Sequence, residues 1–451
     1  MNNHVVIVGL GDIGYHLALN LISLEIPVSV IETDENVLKD ITRFQEVQII
    51  NDSGESYASL VKANVSQAKI ILSTLTSDSQ NIVVSSLAKG INPNILTIAR
   101  IRNKNLLDSK YLHKILNIDI PLYPEEEVAK HMFDLIEYEK TREFISMLDN
   151  QVVLRGLKID KDSELIGLKI SEIKNKFKNL NFLITAISRE KEVETIIPNG
   201  QEKIELYDVM HLFMLEKNEN DILKKMGYKK NKIKNATIVG ASSYGTIIIE
   251  EIAKKKISTK LIELDKVKAK KLDEKLLSTV ILHGDGTDHD VLKKNGVNRC
   301  DLFISATNDG FNNIISCKLA KTGGALNTVS ITFNKSIYNL SYMLGVDVCL
   351  NPHFPVIDKV LSTYYPENIV SIKTIANEDA NIIEVNIEEE YFIVNKKLKD
   401  LNLGDSVLIG LIKRNNILFL PTGEDYIMLN DTIFLFLSKK DINKVLENFF
   451  K

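Results

Sequence analysis

Close to the amino terminus, Gly9-Leu10-Gly11-Asp12-Ile13-Gly14 sets three glycines at GxGxxG spacing. Each has its own physical use. The first permits a tight turn, the second lets a pyrophosphate approach the backbone, and the third lets a helix pack closely on a strand. Glu32 lies 18 residues beyond Gly14, about where a carboxylate accepts hydrogen bonds from the hydroxyls of an adenosine ribose. The same carboxylate repels a 2′-phosphate, which favours NAD(H) over NADP(H). Asp34 is also a candidate cap for a helix at Glu35 to Ile41. Arg100 and Arg102 follow a later apolar run, and either guanidinium could clamp a phosphate with two hydrogen bonds; a surface salt bridge is an equal use for Arg102. The expected cofactor-contacting set is Gly9, Gly11, Asp12, Ile13, Gly14, Glu32, Thr33, Asp34, Asp52, Ser53 and Arg100.

These residues need a strand, a turn and a helix to position them, and the pattern supplies all three. Val5-Val6-Ile7-Val8 is a short continuous apolar run ending at a glycine, as expected of a parallel strand buried on both faces. Ile13, Leu17, Leu21 and Leu24 then recur at helical spacing. The N terminus of such a helix offers free N–H groups and a positive dipole end to a phosphate. Further strands read at 28–31, 47–50, 70–72 and 95–98, with helices near 57–62 and 81–89. Alternating β and α elements of this kind predict a doubly wound parallel sheet, the Rossmann-like α/β architecture.

The pattern then returns. Gly9, Gly14, Glu32 and Asp34 recur as Gly240, Gly245, Glu263 and Asp265, all displaced by 231 residues. Pro198, Gly200 and Asp208 recur as Pro421, Gly423 and Asp431, displaced by 223. A two-domain unit has been duplicated. The expected division is Rossmann-like domains at 1–123 and 235–368, each followed by a small α+β module at 150–220 and 369–451. A connecting helix is expected over 124–149, running from Pro124 to about Leu148, with a Lys- and Asn-rich linker over 221–234. The second copy alters the site, since Ser242 stands in place of the central glycine and Ile331 in place of Arg100. Glu263, Asp265 and Gly284-Asp285-Gly286-Thr287 keep a mononucleotide such as ATP or ADP in play there, beside a purely structural role.

Other chemistry finds little support. The sequence holds no HExxH, no GxSxG, no GxxxxGK loop and no evident His–Asp pair for hydride transfer. Asp288, His289 and Asp290 read as the opening of a helix and no metal site is expected. Cys300, Cys317 and Cys349 are the three cysteines, and without CxxC spacing they read as core thiols. A formal net charge of -4 gives no broad attraction to nucleic acid. No window approaches the roughly 20 apolar residues of a membrane-spanning helix.

In these residues the chain resembles the TrkA family, peripheral regulatory subunits of Trk-type potassium uptake, along nearly all of its length. The most specific elements are Gly9 to Gly14 with Val30-Ile31-Glu32-Thr33-Asp34, then Ile98 to Arg102, Gly284 to Asp288 and Ala306-Thr307-Asn308-Asp309. The resemblance implies two copies of an RCK N-terminal domain followed by an RCK C-terminal domain. It further implies a cytoplasmic gating ring, a homotetramer at the inner face of the cell membrane, that binds NAD(H), ATP or ADP. The implied partner is a TrkH/TrkG-like potassium channel subunit, with no nucleic acid involved. Ser242, and Leu75 where many members carry threonine, depart from the pattern. The alternatives are an NAD-dependent oxidoreductase, an RCK regulator of another cation transporter responding to cyclic di-AMP, and a redox-sensing repressor. The last would need a helix-turn-helix and a basic face, and neither is apparent.

Overall fold

The structure is a computed structural model. It describes residues 4–41, 43, 47–107, 114–189, 195–333, 335–365, 368–375, 379–388, 391–401, 403–404, 407–438, 441–442 and 445. The start of the first domain at residues 1–3 and the end of the last at 446–451 lie outside the described residues.

The first parallel sheet contains β1 (Val5–Val8), β2 (Val28–Glu32), β3 (Val47–Asn51), β4 (Ile70–Ser73), β5 (Leu96–Arg100) and β6 (Ile120–Leu122). Its order is β3-β2-β1-β4-β5-β6, so the chain reverses its winding between β1 and β4. All four residues of β1 are buried, which is why the strand reads as an unbroken apolar run. The small sheet that follows holds β7 (Thr141–Met147), β8 (Val152–Lys158), β9 (Phe182–Ser188), β10 (Thr195–Ile196) and β11 (Val209–Leu215). It is antiparallel, in the order β10-β9-β11-β8-β7.

Both architectures repeat. β12 (Asn235–Val239), β13 (Ser258–Glu263), β14 (Thr279–His283), β15 (Leu302–Ser305), β16 (Asn327–Ile331) and β17 (Val348–Leu350) form a second parallel sheet ordered β14-β13-β12-β15-β16-β17. The strands β18 (Ile369–Ile375), β19 (Ala380–Asn386), β20 (Val407–Arg414), β21 (Ile417–Phe419) and β22 (Thr432–Ser438) form a second antiparallel sheet, β18-β19-β22-β20-β21. Read from its other edge, the first small sheet has the same order.

Two expected elements need correction. The helix beginning at Pro124 stops at Ile136, and residues 141–147 are the edge strand β7, not helix. Lys140 has φ +65°, which a continuing helix cannot accommodate. Secondly, residues 221–225 are not linker, because they complete the helix Glu216–Lys225.

The chain forms two compact units, and neither is a simple half. One comprises Met1–Glu127 with Pro352–Tyr365. In it the helix Phe354–Tyr364 packs beside the helix Asp12–Ser23, with the rings of His16 and His353 4.3 Å apart and Lys69 donating to the carbonyl of Tyr364. Val356, Ile357, Val360 and Leu361 of that helix are buried. The other unit comprises Val128–Asn351 with Pro366–Lys451. There Phe133, on the helix Pro124–Ile136, lies 4.5 Å beneath the ammonium of Lys255, the C-cap residue of the helix Ser243–Lys254.

Within this second unit the two antiparallel sheets share one core, with Val152, Leu154, Ala186 and Phe213 against Ile375, Ile382, Leu411, Phe434 and Phe436. Phe213 meets Phe436 edge to face, with centroids 4.8 Å apart. Room for this comes from Gly410, where a Cβ would stand 2.4 Å from the Phe436 ring. Phe213→Ala is expected to lower the stability of this unit by about 3–5 kcal/mol, read as a reduced denaturation midpoint in urea.

Candidate functional site

The first sheet brings the expected residues to its carboxyl edge, where open α/β sheets bind ligands. β1 ends at Gly9, whose φ of +88° suits glycine. The helix Asp12–Ser23 begins at once, with Gly11 as its N-cap and no side chain capping it. Its first N–H groups have no intrahelical acceptor and remain available to an external one. The two later glycines are needed for different reasons. A Cβ on Gly14 would stand 2.0 Å from the Gly9 carbonyl oxygen, whereas a Cβ on Gly11 would meet nothing within 4 Å. Gly14 is therefore fixed by packing, and Gly11 keeps a space open above the helix.

Glu32 holds the rim of that space. One carboxylate oxygen accepts from the Leu10 N–H at 2.6 Å, and the other from the N–H groups of Thr33 at 2.7 Å and Asp34 at 2.9 Å. Burial pushes the Glu32 carboxyl up, but the hydrogen bonds from Leu10, Asp34 and Thr33 outweigh it and hold the group below its ordinary value of 4.5. Asp34 accepts from the Asn36 N–H at 2.8 Å, so its side chain caps the next helix. Asp52 accepts from Ser59 Oγ at 2.6 Å and from the Ser53 N–H at 2.8 Å. Gly54 seats this segment against β1, because a Cβ there would stand 2.0 Å from Val8 Cγ1.

Arg100 is placed differently from a free phosphate clamp. Its guanidinium is paired with Glu125, which is fully buried at the start of the helix Pro124–Ile136. Arg100 Nε and Glu125 Oε2 are both buried without a hydrogen-bond partner. Arg102 donates from its guanidinium to the Thr76 carbonyl, and its backbone N–H is held by Asp78.

Three residues that sequence reasoning missed complete the setting. Asn81 is fully buried; it accepts from the Leu75 N–H at 2.9 Å and donates to the Arg100 carbonyl at 2.8 Å, tying the ends of β4 and β5 together. Thr74 donates to the Gly9 carbonyl at 2.9 Å, and Glu125 is the partner of Arg100. A signal for Asn81 existed, since Asn313 recurs at the corresponding place and bonds the Thr307 N–H and the Ile331 carbonyl in the same way.

The second copy reproduces the frame. Gly240 has φ +86°, and a Cβ on Gly245 would stand 2.2 Å from the Gly240 oxygen. Glu263 accepts from the N–H groups of Ala241 at 2.8 Å and Asp265 at 3.0 Å. Asp288 caps the helix His289–Lys294, which accounts for that acidic cluster. Among the described residues no three His, Cys, Asp or Glu side chains converge to hold a metal ion. The three cysteines are buried and free.

One acid–imidazole–hydroxyl arrangement does occur in the first small sheet. His211 lies 2.9 Å from Glu143 through Nδ1 and 3.1 Å from Ser188 Oγ through Nε2. Gly156 between the strands makes room, since a Cβ there would stand 3.2 Å from the imidazole. The ring is only 1% exposed, so this arrangement fastens strands and offers no imidazole to a substrate.

Taken together, these features define a duplicated Rossmann-type chain in which each parallel-sheet domain is followed by a small antiparallel one. The family model described as the TrkA-N domain matches residues 5–124 and 236–352, more than half of the chain. The TrkA-C domain model matches residues 382–449. The chain belongs to the TrkA family. It is 24% identical over 447 residues to the Trk system potassium uptake protein TrkA of Azorhizobium caulinodans, covering 98% of this chain and 97% of that one. It is 27% identical over 454 residues to a TrkA homolog of Archaeoglobus fulgidus, covering 99% of each. Among solved structures, the GsuK channel bound to NAD superposes with a TM-score of 0.63 at 14% identity, over 100% of this chain and 79% of that one. The GsuK RCK domain gives 0.62 at 14% identity, over 99% and 95%. At that identity the likeness is one of fold.

Because the folded-state value for Glu32 is depressed, its contribution is present above the ordinary carboxylate range and is lost as pH falls through the lowered value. Glu32→Gln is therefore expected to lower the melting temperature near pH 7. Below the carboxylate range the difference from the parent chain should vanish, as measured by paired thermal melts across pH.

Proposed function

We propose that this chain is a regulatory subunit of a Trk-type potassium uptake system and that it senses NAD(H) through the first Rossmann domain. The observation that carries the reading is the uncapped helix start at Gly11, open above and rimmed by Glu32. A pyrophosphate placed there would receive the N–H groups of Asp12, Ile13 and Gly14 and the positive end of the helix dipole. Glu32 already accepts three backbone N–H groups and the Thr33 hydroxyl, and its Oε2, bonded only to the Leu10 N–H, keeps a lone pair for a ribose hydroxyl. Asp52 and Ser53 line the neighbouring loop, and Thr33 and Asp34 bound the adenosine end. ATP and ADP share the adenosine and phosphate chemistry and are alternative ligands of the same cradle.

The names of the relatives support the potassium-uptake assignment, and the NAD named for the GsuK channel supports the ligand. In this reading four copies form a ring on the cytoplasmic face of a TrkH/TrkG-like channel. A nucleotide shifts the ring only as far as its affinity differs between the ring's conformations. Catalysis has no part in the proposal, because the groups around Gly11 bind and orient without presenting an acid, a base or a nucleophile. Among the described residues no helix is long and apolar enough to cross a membrane, and contact with the bilayer is assigned to the channel.

Calorimetric titration of the full chain with NADH, NAD, ATP, ADP and cyclic di-AMP tests this. NADH or an adenine nucleotide should bind, and Gly11→Asp should weaken it by at least about tenfold, or about 1.4 kcal/mol. The new carboxylate would stand in the phosphate space without straining a backbone at φ -61°. Binding by none of these ligands would sink the sensor, and cyclic di-AMP alone would move the assignment to another transporter regulator.

A further inference from the structure

We infer that Ser242 is the residue that closes the second Rossmann domain to a dinucleotide, acting as a built-in substitute for the phosphate. The inference rests on the reading of Gly11 as the phosphate seat of the first domain. The two positions are conformational twins: Gly11 has φ -61° and ψ -177°, and Ser242 has φ -62° and ψ 177°. Each is the N-cap of the helix that follows its glycine turn. Only the side chain differs, so the difference in capping follows from the hydroxymethyl group.

In the first domain that helix start is uncapped. In the second, Ser242 Oγ accepts from the Gly245 N–H at 3.2 Å and so fills the role that an incoming phosphate oxygen would take. The same hydroxyl donates to the Ala306 carbonyl at 2.6 Å. Both of its hydrogen-bonding directions are satisfied internally, and the residue is only 8% exposed. A phosphate arriving there would have to displace a cap that is already bonded on both sides.

A second, compensating difference sits across the turn. In the first domain Thr74, at the end of β4, fastens the turn by donating to the Gly9 carbonyl at 2.9 Å. In the second, Ala306 occupies that place without a hydroxyl, and Ser242 supplies the fastening from the opposite side. The hydroxyl has moved from the strand end, where it leaves the phosphate space clear, to the N-cap, where it occupies it. Glu263 still holds the turn through the Ala241 and Asp265 N–H groups, as Glu32 does through Leu10 and Asp34, so the frame of the site survives and the change is local to its phosphate end.

One dinucleotide per chain is the resulting expectation, and titration of the full-length protein with NADH reads it directly as stoichiometry. The parent chain should bind one equivalent, Gly11→Asp none, Ser242→Gly two, and the double variant one. Matching far-ultraviolet circular dichroism confirms folding, and Ser242→Ala serves as the second variant, expected to gain a weaker second equivalent. A parent chain that binds two equivalents, one of them surviving Gly11→Asp, overturns the inference while sparing the first-domain site. A folded Ser242→Gly chain that stays at one equivalent also overturns it. No equivalent in the parent chain but one in the double variant would sink the first-domain reading and support Ser242; none in any variant would sink both.

Discussion

The structure depends on a contact between two backbones that leaves no room for a side chain. Where the helix Asp12–Ser23 leaves β1, Gly14 lies so close to the Gly9 carbonyl that a Cβ would stand 2.0 Å from its oxygen, and Gly245 stands in the same relation to Gly240 at 2.2 Å. That approach sets the helix axis against the strand and aims the helix N terminus past the sheet's carboxyl edge. The rest of the site is built around this direction. Glu32 and Glu263 hold the turn from the second strand, Asn81 and Asn313 hold the fourth and fifth strands to one another, and Gly54 and Gly286 let the next loop lie against the first strand.

Much of this was legible from residue order, because the constraints are local or repeated. A buried parallel strand must be apolar throughout, and Val5 to Val8 announces itself; a helix packed on a strand needs its glycine, and the glycines recur at a fixed displacement. The carboxylate closing β2 was legible as well, although its reach to the Leu10, Thr33 and Asp34 N–H groups was not. The roles of Asn81, Thr74 and Glu125 depend on neighbours remote in sequence, and polar residues on helices or at strand ends give no periodic signal. Arg100 illustrates the limit. Its position at the end of β5 was visible, but its partner, Glu125, lay in an acidic first turn that reads equally well as dipole compensation.

The misread helix has a similar origin. Phe144, Ile145 and Met147 fit either a helical stripe or a strand flanking a core, and a short apolar run does not decide between them. The stop is set by Lys140 at positive φ and by the pairing of β7 with β8. The antiparallel partner is available only because the small sheet is assembled nearby. Membership of residues 352–365 in the first unit is harder still to read, since the relevant partner, the helix Asp12–Ser23, lies at the other end of the chain.

The helix Phe354–Tyr364 ties the far end of the sequence to the first Rossmann domain. A polypeptide cut near residue 234 would keep the first Rossmann sheet but lose this helix, which packs beside the helix Asp12–Ser23. Carried on one chain, the helix reaches the first unit without a second molecule. With both copies on one chain, each position stands alone, so a serine at 242 occupies one glycine turn while Gly11 leaves the other bare.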